Sequence, residues 1–230
     1  MNIKLKVKYC IIFGTGSIAK RHAKILNKKG IKCIAVSRST DNPSKIFQKI
    51  ISYKDFPKYK PQFWLICLPT SLHKKTCLDI INKSSIKRPI YCEKPGPNFI
   101  IKRYEIYVLY NLRYLRFLRK LKKSKENFFH FVHKANAKKW PSQENWKNRY
   151  MFLNDLGGGA IKTNSHEIDL YYFLTGNKKI NVKKQYMIDK KRKKIDHSFK
   201  AFSSENDLLI ESSIIEKNEI RYLKIFNKLN

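Results

Sequence analysis

The hexapeptide Gly14-Thr15-Gly16-Ser17-Ile18-Ala19 stands between two segments of different periodicity. Before it, Tyr9-Cys10-Ile11-Ile12-Phe13 is a short continuous apolar run, the pattern of a buried central strand in a parallel sheet. After it, Ile18, Ala19, His22, Ala23 and Leu26 recur at helical spacing, which predicts a helix over 17–29 ended by Gly30. The glycines therefore sit at a strand-to-helix turn. Gly14 suits a tight turn, Gly16 lets backbone N–H groups approach a pyrophosphate, and Ala19 lets the helix pack closely on its strand. The helix N-terminus faces such phosphates with free N–H groups and the positive end of its dipole. In this context the G-x-G-x-x-A pattern predicts dinucleotide binding.

Alternation continues after this turn. Lys32-Cys33-Ile34-Ala35-Val36-Ser37-Arg38 reads as a second strand. An Asp or Glu closing it would bind a ribose 2′-hydroxyl and repel a 2′-phosphate. Ser37 and Arg38 stand there instead, followed by Ser39 and Thr40, and an arginine pairs with a phosphate. The expected cofactor is NADP in preference to NAD. A short helix is expected over 43–51 and a loop over 55–61. Gln62-Phe63-Trp64-Leu65-Ile66-Cys67-Leu68 is another buried-type strand ending at Pro69-Thr70-Ser71, with a helix over 72–82 behind it. Pro89-Ile90-Tyr91-Cys92 is the next strand and ends at Glu93-Lys94-Pro95. This alternation predicts an α/β, Rossmann-type parallel sheet domain over 1–95, with its strand ends gathered at one edge.

The pattern then changes. A strand-like run, Glu105-Ile106-Tyr107-Val108-Leu109-Tyr110, leads into Asn111-Leu112-Arg113-Tyr114. A basic helix over 115–123, a half-buried strand over 127–135 and an aromatic loop over 138–156 with Trp140, Trp146 and Tyr150 follow. Gly157-Gly158-Gly159 precedes a single helix expected over 160–174. Strands are expected over 182–189, 198–203, 208–215 and 220–226. Grouped strands after an alternating half predict a smaller α+β domain over 96–230 with an open, mainly antiparallel sheet.

Composition narrows the function classes. The chain has 230 residues, 42% hydrophobic and 13% aromatic, which can build a core. The first eight residues lack the apolar stretch of a signal peptide, and no apolar run is long enough to span a bilayer. Cys10, Cys33, Cys67, Cys77 and Cys92 form no C-x-x-C pair, so neither a metal site nor a disulfide framework is indicated. They read as reduced, buried thiols in a cytoplasmic protein. The net charge is +33, from 50 Lys and Arg against 17 Asp and Glu. The lysines are spread over nearly every segment, which favours solvated faces over a nucleic-acid patch. The dense cluster Lys190-Lys191-Arg192-Lys193-Lys194 reads as an exposed hairpin tip.

Four motifs follow one another in order: Gly14-x-Gly16-x-x-Ala19; Leu68-Pro69-Thr70-x-x-His73; Glu93-Lys94-Pro95; and Gly157-Gly158-Gly159 with Ser165-His166-Glu167-Ile168-Asp169. Together they resemble the Gfo/Idh/MocA family, the relatives of glucose–fructose oxidoreductase and inositol dehydrogenase, over most of residues 7–176. Asn111-Leu112-Arg113-Tyr114 resembles a substrate-side motif of one branch. The resemblance implies a Rossmann domain followed by a substrate domain whose sheet mediates homo-oligomerisation. It also implies hydride transfer between NADP or NAD and a hydroxyl or keto carbon of a sugar, sugar derivative or nucleotide sugar. It gives the cofactor Gly14, Thr15, Gly16, Ser17, Ile18, Ser37, Arg38, Leu68, Pro69, Thr70, His73, Glu93 and Lys94. It gives the substrate Lys94, Arg113, Trp146, Thr163 and His166, with Lys94 and His166 catalytic. It places a cis bond before Pro95.

The residue chemistry suits that role. A histidine accepts a hydroxyl proton near neutral pH, and an ammonium stabilises charge developing on oxygen. On one helix, Thr163, His166 and Asp169 would lie broadly on one side. The chain departs from the family in three places. Thr163 stands where many members carry Asp, residues 96–104 leave room for little helix, and the sequence stops at Asn230. These departures support a second reading, a non-catalytic homologue that serves as a cofactor-binding or partner subunit. The charge supports a third, a nucleic-acid-binding protein.

Overall fold

The protein's structure, a computed structural model, describes residues 8–38, 45–97, 99, 101–121, 127–140, 145–176, 179–203 and 207–227. It divides into two compact units, Met1–Leu109 and Tyr110–Asn230.

The first unit contains β1 (Tyr9–Phe13), α1 (Ser17–Lys28), β2 (Lys32–Val36), β3 (Lys49–Ile51), β4 (Trp64–Ile66), α2 (His73–Lys83), β5 (Ile90–Cys92) and β6 (Ile106–Val108). All six strands are parallel, in the order β3-β2-β1-β4-β5-β6. This is the doubly wound order, and its direction reverses between β1 and β4. The apolar runs have no polar alternation because both sheet faces are covered. Ile11, Phe13, Ile34, Val36, Trp64 and Ile66 pack with Phe56 and with Cys77 and Ile80 of α2. Cys10, Ile12, Cys33, Ala35 and Leu65 pack on the opposite side with Ala19 and Ala23 of α1. The small side chains of α1 let its axis lie close to the sheet.

Two expectations change here. Residues 49–51 form a strand and not the end of a helix, because Ile50 and Ile51 pair with Ala35 and Val36. Tertiary pairing of β-branched residues outweighs local pattern; residues 39–44, including Ser39, Thr40 and Pro43, lie outside the described set. In addition, β6 hydrogen-bonds beside β5, so the first unit runs to Leu109, whereas the sequence reading ends it at Pro95.

The second unit begins with a 3-10 turn, Asn111–Tyr114, and contains α3 (Arg116–Leu121), β7 (Asn127–Asn136), α4 (Ala160–Thr163), α5 (Ser165–Thr175), β8 (Ile180–Ile188), β9 (Lys194–Ser203), β10 (Leu208–Ser213) and β11 (Ile215–Asn227). Its sheet has the order β11-β7-β10-β9-β8. Every pairing is antiparallel except β7 with β10. Phe129, Phe131, Phe199, Ala201, Leu208 and Ile210 cover one face and pack under Leu170, Tyr171 and Leu174 of α5. Along β11, Ile220, Tyr222 and Phe226 alternate on the other side and are exposed. The basic cluster is a hairpin tip between β8 and β9: the Asp189 carboxylate accepts the backbone N–H groups of Lys191 and Lys193.

The single helix expected over 160–174 is two helices. Asn164 is fully buried, and its side-chain amide donates to Ser212 Oγ at 2.9 Å and to the Ser213 carbonyl at 3.3 Å. That anchor on β10 holds Asn164 at φ −105 and ψ 37, outside helical geometry. Thr163, His166 and Asp169 therefore do not share one continuous helix.

Candidate functional site

In the first unit, the register aligns Ile51, Val36, Phe13, Ile66, Cys92 and Val108 in one row at the carboxyl edge of the sheet. The predicted residues of this unit follow directly from that row. Gly14 turns the chain out of β1 at φ +109, and its N–H donates to the Val36 carbonyl at 2.9 Å. A Cβ on Gly14 would lie 2.6 Å from the Cys67 carbonyl oxygen, so only glycine lets the turns after β1 and β4 approach this closely. Thr15 is half-buried, whereas Gly16, Ser17 and Ile18 are exposed. Nothing lies within 4 Å of where a Gly16 Cβ would stand. Gly16 opens α1 with no side-chain cap, and the first N–H groups of a helix have no partner within it. A pyrophosphate fits this open backbone, while Ala19 is fully buried behind it.

Ser37 follows β2, half-buried, and its N–H donates to the Ile51 carbonyl; Arg38 beside it is exposed. Leu68, Pro69 and Thr70 are half-buried and lead into the 3-10 turn Thr70–Leu72. Glu93 and Lys94, both half-buried, follow β5, and the Lys94–Pro95 bond is cis.

Two histidines tie these turns together. His22, on α1, places Nε2 2.7 Å from Glu93 Oε1. Glu93 Oε2 accepts the Lys94 N–H at 3.3 Å. Burial alone would raise the Glu93 pKa, but His22 and the backbone and charge of Lys94 outweigh it and hold the carboxyl below its usual value. One Glu93 oxygen thus meets His22 and the other accepts the Lys94 N–H. His73 is buried, with Nδ1 2.8 Å from the Pro95 carbonyl oxygen and Nε2 2.8 Å from that of Leu68. Both of its ring nitrogens are thus engaged by main chain, one from each of two turns.

In the second unit, His166 is half-buried on the first turn of α5, and the Tyr110 ring meets it edge-on at 5.8 Å. Arg113 donates from Nε to Asp169 Oδ2 at 2.7 Å and from Nη2 to Asp169 Oδ1, with the Tyr110 and Phe173 rings flanking its guanidinium. The bond to Asp169 raises the Arg113 pKa; burial pushes Asp169 up while Arg113 pulls it down. The sequence reading sets Asp169 beside His166, but its charge goes to Arg113. Thr163 is buried at the end of α4. Trp146 packs edge-on against Phe152 at 5.0 Å, with Lys138 Nζ 4.6 Å over its ring, so its indole belongs to the core boundary.

Three partners escape sequence reading. His22 reads as one more residue of the helix face. Glu167, beside His166, is buried and accepts from Arg221 Nε at 3.1 Å and Nη2 at 2.8 Å. Burial would raise its pKa, but His133 and Arg221 bring it below the ordinary value. Asp196 of β9 accepts the Ile161 N–H at 2.8 Å and so caps α4 from outside the helix. Gly159, at φ +110, is the residue this cap requires, since a Cβ there would meet Asp196 Oδ1 at 2.4 Å. No local periodicity announces contacts of this length. Among the described residues, no helix is long and apolar enough to cross a membrane, and no group of three His, Cys, Asp or Glu could hold a metal ion.

No protein-family model matches the sequence, and no curated protein matches it. Solved structures do. The oxidoreductase yvaA from Bacillus subtilis aligns with a TM-score of 0.71 at 14% identity, over 99% of this chain and 69% of its own. An oxidoreductase from Thermotoga maritima gives 0.70 at 13% identity, over 95% and 76%. UDP-N-acetylglucosamine 3-dehydrogenase GnnA from Acidithiobacillus ferrooxidans gives 0.68 at 12% identity, over 96% and 74%. The chain has the two-part fold of these oxidoreductases, the fold that the resemblance to the Gfo/Idh/MocA family implies.

Proposed function

We propose that the chain binds a nicotinamide dinucleotide, NADP in preference to NAD, and transfers a hydride to or from a hydroxyl or keto carbon of a sugar or sugar derivative. The observation that carries this reading is the row of strand ends, in which the open Gly14–Gly16 turn, Ser37-Arg38, the Leu68 turn and Glu93-Lys94 follow one edge of a doubly wound sheet.

In this reading the backbone of Gly14, Thr15, Gly16 and Ser17, beside Ile18, holds the pyrophosphate. Ser37 and Arg38 take the 2′-phosphate, and Leu68, Pro69 and Thr70 line the nicotinamide side. Glu93 accepts a ribose hydroxyl through Oε2. The bound nicotinamide supplies or takes up the hydride. Lys94 stabilises charge on the substrate oxygen, and His166 accepts or returns the hydroxyl proton. Arg113, held by both prongs on Asp169, keeps its remaining guanidinium N–H groups for a substrate oxygen; GnnA, by its name, acts on a nucleotide-linked sugar. The exposed Ile220, Tyr222 and Phe226 along β11 support self-association through the second sheet.

Titration with NADPH and NADH near physiological salt, read by nicotinamide fluorescence, tests the reading. Tight NADPH and weaker NADH binding is expected. Binding of neither overturns it, and salt-steep binding of random oligonucleotides in their place would favour the nucleic-acid reading.

A further inference from the structure

The environment of His73 fixes its chemistry more tightly than any motif does. The residue is 2% exposed. Both ring nitrogens lie 2.8 Å from oxygen, and both oxygens are backbone carbonyls, of Pro95 and of Leu68. A carbonyl oxygen accepts and never donates, and a neutral imidazole has a single N–H. In either neutral tautomer one nitrogen lone pair would face a carbonyl lone pair at hydrogen-bond distance. Only the ring with both protons satisfies both contacts.

We propose that His73 is a positioning residue that carries both ring protons and joins the turn after β4 to the turn after β5. Charge-assisted bonds of this kind are roughly twice as strong as neutral ones. The two carbonyls belong to segments that sequence separates: Leu68 opens the Pro69-Thr70 turn, and Pro95 follows Lys94 directly. His73 is the first residue of α2, so its backbone is set by that helix, while its ring reaches both turns. The ring thereby sets the spacing between Leu68 and the Glu93-Lys94 pair. The ring state stands on geometry alone; its consequence for cofactor binding rests on the function proposed above.

The test uses the full chain labelled with nitrogen-15. Long-range proton–nitrogen correlation near neutral pH separates protonated from unprotonated ring nitrogens. The chain has six histidines, and the His73 signals are those that vanish in His73→Gln. If that variant does not fold, single substitutions of the other five assign His73 by elimination. Two protonated ring nitrogens are the expected result; one protonated and one bare nitrogen overturns the proposal. The second arm is NADPH titration of the wild type and His73→Gln. A roughly tenfold loss of affinity in folded His73→Gln supports positioning, and unchanged affinity overturns it. A wild type with two ring protons and no dinucleotide binding keeps the two-proton clamp, and refutes both its cofactor role and the function proposed above.

Discussion

The His22 imidazole and the Glu93 carboxylate meet at 2.7 Å across 71 residues of chain, linking the helix behind the glycine turn to the end of β5. The carboxylate oxygen only accepts, so His22 Nε2 carries the proton. Removing the imidazole in His22→Ala leaves a largely buried carboxylate short of a donor, and a loss of about 1–3 kcal/mol is expected. The acid limb follows from the direction of the Glu93 shift. Its folded pKa lies below the ordinary 4.5, so its stabilising contribution is complete above that pH and is lost as pH falls through the lower folded value. Urea midpoints across this range should show a shallower acid limb in His22→Ala than in the wild type.

Gly14→Ala combines a backbone strain with a steric one. A side chain is disfavoured at φ +109, and the added Cβ would sit 2.6 Å from the Cys67 carbonyl oxygen. The strain alone is worth about 1–3 kcal/mol, and moving the Cys67 turn adds to it. Urea denaturation should show the loss. NADPH titration of the folded fraction should show weaker binding, because the displaced turn carries Leu68.

Asp196→Ala removes the acceptor that caps α4. A cap of this kind contributes about 0.5–2 kcal/mol, and thermal unfolding should register a loss of that order. Dinucleotide affinity should not change, since Asp196 lies in the second unit.

Arg113→Lys keeps the cation but loses the two-pronged grip on Asp169. A loss of about 1 kcal/mol is expected for one hydrogen bond of the pair. Asp169→Asn in the same background should cost less than in the wild type, and a double-mutant cycle by urea denaturation measures the difference. Equal costs in the two backgrounds would show that the pair is not coupled.

Lys94→Ala and His166→Ala separate chemistry from binding. Each should lower turnover of a screened sugar substrate by about 10²–10⁴-fold while the fold is kept. His166→Ala should leave NADPH affinity unchanged. Retained turnover in both variants would remove these residues from the catalytic role proposed for them.

The first unit is legible because its signals are local. Tyr9–Phe13 is apolar at every position, Gly14 precedes a helical face, and each later strand is flanked by turn residues. Lys49–Ile51 is not legible, since three residues form a strand only through their neighbours Ile34, Ala35 and Val36. The extent of the unit is missed for the same reason: β6 declares its membership by pairing with β5. In the second unit the strands show in their alternation, but the break at Asn164 depends on Ser212 and Ser213, which local pattern cannot supply. The site divides likewise. Gly14, Lys94 and His166 stand in motifs, whereas His22, Asp196 and Arg221 matter through partners distant in sequence.

The position of β7 in its sheet also sets a timetable. Its neighbours are β10 and β11, and both leave the ribosome after β7, α4, α5, β8 and β9 have emerged. The first sheet is complete once β6 is out, so it can close while synthesis continues. During that interval β7, ten residues long and bearing Phe128, Phe129, Phe131 and Val132, has neither neighbour. Strands in that condition are what chaperones shield and what neighbouring nascent chains capture. The length of that exposure depends on how soon the last two strands arrive, a kinetic quantity that equilibrium unfolding of the finished molecule does not report.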